Sequence, residues 1–219
     1  MMYSFAQRSD CRVVDEPFYA AYLQATGLDH PMRDEVLASQ SQDYQTALAE
    51  LSKPVEGLQY EKHMTHHIEP DWRFDWLADF VSVFLIRHPA RVIASYAAKR
   101  ENPTLDDIGF KQQFDVFQQV RALGQEPVIL DSYEVRVDPE RSLSHLCAQI
   151  GIPFDPAMLR WQAGPKAYDG VWAAHWYGAV HSSTGFAKAE GELPALDDAG
   201  QSLLQQALPF YEEMRAALG

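Results

Sequence analysis

From position 80 to 86 every residue except Ser82 is apolar, and such a run reads as a strand buried on both faces, as in a parallel sheet. The run stops at Arg87, turns through His88-Pro89 and re-enters a helical pattern that extends to about Arg100. Proline suits the first helical position, whose N–H has no intrahelical partner anyway. Further strands are predicted over 11–14, 58–64 and 127–130. Helical spacing or helix signals mark 2–8, 17–25, 43–51, 72–78, 139–150, 156–162 and 197–218. Over 104–123, Phe110, Phe114, Phe117, Val120 and Leu123 recur on one helical face. Residues 163–188 form an aromatic, glycine-containing loop region. Strands alternating with helices predict an α/β fold, and with no repeats and no low-complexity linker, residues 1–219 are expected to form a single domain.

The turn after the central run carries candidate chemistry. Arg87 falls at the carboxyl end of its strand, where open α/β sheets bind ligands. Arg91 and Ser95 follow as an i,i+4 pair on one helix face. A guanidinium fork and a directional hydroxyl suit a phosphate. A strand-end arginine is also a common ion-pair partner, and a helix serine often bonds its own backbone; spacing alone leaves these readings open.

Arg87-x-Pro89 followed by Ser95, after an apolar strand, resembles the 3′-phosphate-binding segment of the sulfotransferase family, which uses 3′-phosphoadenylyl sulfate (PAPS). A second stretch is similar as well: Pro127 to Glu134, then Asp138-Pro139-Glu140, Leu143, Leu146 and Gly151 to Asp155. Asp138 before Pro139 is also what a helix start demands, a capping carboxylate and then proline. With Asp15-Glu16-Pro17-Phe18-Tyr19, the similarity covers nearly the whole chain and is strongest toward a bacterial branch found alongside aminotransferases. The resemblance implies a P-loop NTPase-like three-layer α/β/α fold with a parallel sheet, PAPS as donor and no metal. It implies that Arg87 and Ser95 hold the 3′-phosphate. Because the chain is acidic overall, that anionic nucleotide needs a local basic pocket, to which Arg87 and Arg91 contribute, with Lys62 and Lys166 as further candidates.

Family members open with a strand and a Gly/Ser/Thr-rich phosphate loop at a helix N-terminus, where free N–H groups and the helix dipole favour an anion. This chain begins Met1-Met2-Tyr3-Ser4-Phe5, in the middle of a helical pattern, and contains no Gly-x-x-x-x-Gly-Lys-[Ser/Thr]. The expectation is an N-terminal truncation of roughly 15–25 residues, the length of a strand, a phosphate loop and a first helical turn. The resemblance puts the missing strand between those at 58–64 and 80–86. Its loss would leave backbone groups unpaired, so the chain alone would be unstable, aggregate, or pair those two strands directly. The alternatives are a non-catalytic P-loop-like remnant or a small-molecule kinase, although a kinase needs a Walker lysine and magnesium-binding carboxylates that have no place here. An aminotransferase role lacks a lysine in a recognisable pyridoxal-phosphate context.

Sulfuryl transfer to a hydroxyl or amine needs a general base and a cation beside the departing oxygen. Lys62-His63-Met64-Thr65-His66-His67 closes the second strand, and there the resemblance puts a catalytic lysine and histidine. Lys62 suits the leaving-group charge, and His66 or His67 the base. His63 fits less well because it alternates with Lys62 along the strand. A zinc site from His63, His66, His67 and Asp71 is disfavoured, because adjacent histidines reach one tetrahedral ion poorly. In the aromatic loop, Trp172, Trp176 and Tyr177 are candidates to stack on adenine or line the acceptor pocket, or simply to pack a lid. Asp15 and Glu16 either orient an acceptor or cap the helix beginning at Pro17.

Composition narrows the partners. The 219 residues are 47% hydrophobic and 22% charged, ordinary for a folded globular chain. A net charge of −13 opposes nucleic acid and anionic membrane surfaces, and the small-molecule acceptor that the resemblance implies is expected to be neutral or cationic rather than polyanionic. Two cysteines are too few for a disulfide scaffold and favour a reducing, cytoplasmic setting.

Overall fold

Parallel strand pairs organise the protein, as the alternation demands. The computed structural model describes residues 1–98 and 102–218, so the expected helix end near Arg100 lies outside the described residues. The chain divides into two units, Met1–Pro70 with Asp155–Ala187 and Asp71–Phe154 with Lys188–Gly219.

In the first unit Cys11–Asp15 (β1) runs parallel to Leu58–Lys62 (β2), with Cys11 opposite Leu58 and Asp15 opposite Lys62. This register sets a carboxylate and an ammonium side by side at the carboxyl ends of both strands. The helices Tyr19–Thr26, Arg33–Ser39 and Tyr44–Leu51 supply the core, with Phe18, Leu23 and Val36 buried. Short helices at Ala173–Trp176 and Gly178–His181 interrupt what the sequence presents as loop.

In the second unit Val83–Ile86 (β3) runs parallel to Val128–Asp131 (β4), with Ile86 opposite Asp131. The helix Pro89–Ala97 follows β3 with Pro89 in its first turn, and the His88 side chain caps it by accepting the Ala90 amide at 3.2 Å. Asp138 likewise caps Pro139–Gln149 by accepting the Arg141 amide at 3.0 Å. Both helix starts follow the local chemistry read from sequence.

Several expectations are corrected. The apolar run does not make a seven-residue strand buried on both faces: β3 alternates, with Phe84 and Ile86 buried while Val83 and Leu85 are 39% and 43% exposed. Successive side chains point to opposite faces, and Phe117 packs edge-on to Phe84 at 5.8 Å on the covered side. The periodic stretch 104–123 is two helices, Leu105–Ile108 and Phe110–Ala122, because Gly109 takes φ 70°, a left-handed conformation that stops the first. The stretches at 72–78 and 156–162 form only 3₁₀ turns, Asp75–Asp79 and Pro156–Leu159; after the latter Arg160 turns extended and bridges to Gly185. The helix Arg33–Ser39 was not foreseen, because its residues carry no clear apolar stripe.

Candidate functional site

Two polar clusters form where parallel strands end, one in each unit. At the end of β1 and β2, Lys62 Nζ bonds Glu16 Oε1, lies 3.4 Å from Asp15 Oδ1 and donates to the Tyr177 hydroxyl at 2.7 Å. That hydroxyl lies 2.7 and 2.8 Å from the two Asp15 oxygens and 3.2 Å from Glu16 Oε1. Gly170 N–H donates to Asp15 Oδ2 at 3.2 Å. Asp15 and Glu16 are 5% and 7% exposed, and the helix that follows is capped at Phe18 by no side chain. The capping alternative for these carboxylates therefore falls: they are buried members of an ion cluster.

Glu16 holds φ 42°, a conformation costing a non-glycine residue of order 1–3 kcal/mol. Its neighbours hold it there: Glu16 N–H donates to Lys62 O at 2.8 Å and Gln40 Nε2 donates to Glu16 O at 3.1 Å. Burial raises the Glu16 carboxyl above its ordinary range, against the opposing pull of Lys62. Burial and the two carboxylates keep the Tyr177 phenol protonated.

His67 is 4% exposed and lies between two phenol rings, with Tyr19 stacked at 4.2 Å and Tyr22 at 4.9 Å. Its Nδ1 has no hydrogen-bond partner and stands 3.7 Å from Glu16 Oε2. Burial, with His66 and Lys62 nearby, pushes its pKa well below the usual histidine value, so the ring is neutral. His66 is half-buried, edge-on to His67 at 4.5 Å. His63 pairs instead with Glu61 at 2.8 Å.

The aromatic trio separates. Trp172 is 1% exposed and set against Tyr19, and a Cβ on Gly170 would lie 2.1 Å from its indole. It packs inside the first unit, as the second of the two readings the sequence left for it describes. Trp176 is 40% exposed, and Tyr177 belongs to the lysine–carboxylate cluster. Beside them Asp169 accepts from Tyr3 at 2.7 Å, pairs with His181 Nε2 at 3.0 Å and accepts the Lys166 amide at 2.8 Å. The Lys166 ammonium reaches the Ala163 carbonyl at 3.3 Å; it belongs to the first unit, whereas Arg87, Arg91 and Ser95 belong to the second.

In the second unit Arg87 follows β3 directly and pairs with Glu190 Oε1, which Arg136 Nη1 meets at 2.7 Å; Arg91 Nε lies 3.3 Å from Oε2. The fold thus brings Arg87 and Arg91 together and adds Arg136, which the sequence reading missed. Ser95 lies exposed one turn beyond Arg91. Burial opposes the Glu190 charge, but the Arg87 bond and the three guanidiniums outweigh it and hold the carboxyl below its ordinary pKa. Such convergence is what an oxyanion site requires. Among the described residues no group of three or more His, Cys, Asp or Glu side chains is arranged to hold a metal ion, and no helix is long and apolar enough to cross a membrane.

Comparison with known proteins supplies the context. Two Arabidopsis thaliana relatives, branched-chain-amino-acid aminotransferase-like proteins 1 and 2, are 35% and 33% identical over 99% and 98% of this chain. The chain spans only 39% of the length of each. A solved sulfotransferase domain from the curacin biosynthetic pathway aligns over 85% of this chain and 76% of its own, with 14% identity and a TM-score of 0.39. The family model described as "Sulfotransferase domain" matches residues 1–218, and the chain belongs to that family.

Proposed function

We propose that the chain carries out sulfuryl transfer from PAPS to a hydroxyl or amine of a small-molecule acceptor, in a cytoplasmic setting. The observation that carries the reading is the convergence of Arg87, Arg91 and Arg136 on one carboxylate beyond β3. Guanidiniums that already enclose an oxyanion are suited to a phosphate of the donor, with Arg87 and Ser95 as the 3′-phosphate pair. The donor, when bound, supplies an activated sulfuryl group.

In the first unit His67 takes the acceptor proton. Its neutral ring has a free lone pair, and Glu16 beside Nδ1 stabilises the imidazolium that forms. Lys62 provides positive charge for the departing oxygen, held in place by Asp15, Glu16 and Tyr177. Titration with 3′-phosphoadenosine 5′-phosphate and with AMP tests the reading. The bisphosphate binds more tightly, and Arg87→Ala abolishes the preference; equal binding of both nucleotides, or a preference that survives in the variant, refutes it.

A further inference from the structure

Glu190 does more than balance charge. Its carboxylate is 8% exposed and Oε1 alone meets two guanidiniums, Arg87 and Arg136. The backbone around it is held by the same arginines: Arg91 donates to Gly191 O and, at 3.4 Å, to Glu192 O, while Arg136 Nε donates to Lys188 O at 2.9 Å. The segment 188–192 lies outside any helix or strand, and these side chains tie it down.

Two features mark the carboxylate as a stand-in. Three guanidiniums face one carboxylate, leaving two positive charges in excess, whereas a phosphomonoester carries nearly two negative charges at neutral pH. Arg91 also spends Nε, Nη1 and Nη2 on the segment, so an incoming phosphate finds its donors already engaged.

We infer that Glu190 is an internal competitor for an anion site made by Arg87, Arg91 and Arg136, and that a phosphate ligand must displace the 188–192 strap to enter. Resting on the proposed donor site, the inference adds its gate. While the strap is docked the arginines are preorganised and shielded from adventitious anions. A phosphate dianion matches the local charge better and releases the strap.

Inorganic phosphate is the probe, titrated into the full chain by calorimetry. Glu190→Gln keeps the shape and removes the charge, and tightens phosphate binding about tenfold, the factor that 1.4 kcal/mol represents. Arg136→Ala in that background weakens it again. Hydrogen exchange on the unaltered protein gives a reading independent of any variant's folding: saturating phosphate accelerates exchange at 188–192. Unchanged or weaker binding by Glu190→Gln, no effect of Arg136→Ala, or slower exchange in the strap each overturns the inference. Preference for 3′-phosphoadenosine 5′-phosphate over AMP tests the donor reading separately, so either can fail while the other stands.

Discussion

The Tyr177 hydroxyl reaches Asp15 Oδ1 at 2.7 Å across 162 positions of sequence. It binds the aromatic loop to the end of β1 and simultaneously accepts from Lys62. Tyr177→Phe keeps the ring and deletes the oxygen, leaving buried carboxylate oxygens short of a donor. The expected loss is about 1–3 kcal/mol, read as a lower urea midpoint at an unchanged slope.

Removing the cation should cost more. Lys62→Met strands Asp15 and Glu16, which are 5% and 7% exposed, and breaking one side of a buried pair costs about 3–5 kcal/mol. Adding Glu16→Gln relieves part of the uncompensated charge, so the double variant is more stable than Lys62→Met alone. If the two losses simply add in denaturant melts, the ion cluster has no energetic coupling.

His66 and His67 should separate kinetically. His67→Gln is expected to lower kcat about 10²–10⁴-fold, the usual scale for a lost general base, with little change in nucleotide affinity. His66→Gln should stay within a few-fold of the parent. The reverse ranking in steady-state assays would move the base to His66.

The pH dependence of stability follows from His67. Its pKa is lowered from 6.5 in the folded state, so below about pH 6.5 the unfolded chain takes up a proton that the folded chain refuses. Stability therefore falls with decreasing pH from 6.5 down to the folded pKa, by up to about 1.4 kcal/mol per unit, and His67 contributes no slope above that window. Glu16 acts oppositely: its carboxyl is raised from 4.5, so above that value the folded state retains the extra proton, and acid favours folding through it. Denaturation of His67→Phe against the parent between pH 5 and 7.5 isolates the histidine: the fall in stability that His67 contributes below 6.5 should be absent from the variant, leaving the opposite slope of Glu16.

Local signals were legible residue by residue. His88-Pro89 and Asp138-Pro139 start helices where capping and proline geometry say they must, because a cap depends on positions within three residues of itself. Arg87 at a strand end and Lys62 at another were readable for the same reason. The split at Gly109 was missed because helical periodicity ran through it unbroken, while the decisive fact was one positive φ. The exposed alternation of β3 was missed because an apolar run does not say how many faces will be covered.

What the chain alone determined was thus the strands, most helix starts, the α/β class and the side chains that carry charge at strand ends. Only the tertiary structure decided which charges meet: Glu190 reaches Arg87 over 103 positions and Tyr177 reaches Asp15 over 162. Local propensity acts over a few residues. The choice of an ion-pair partner instead depends on which distant segments burial presses together, and on the cost of leaving any one buried charge unmatched.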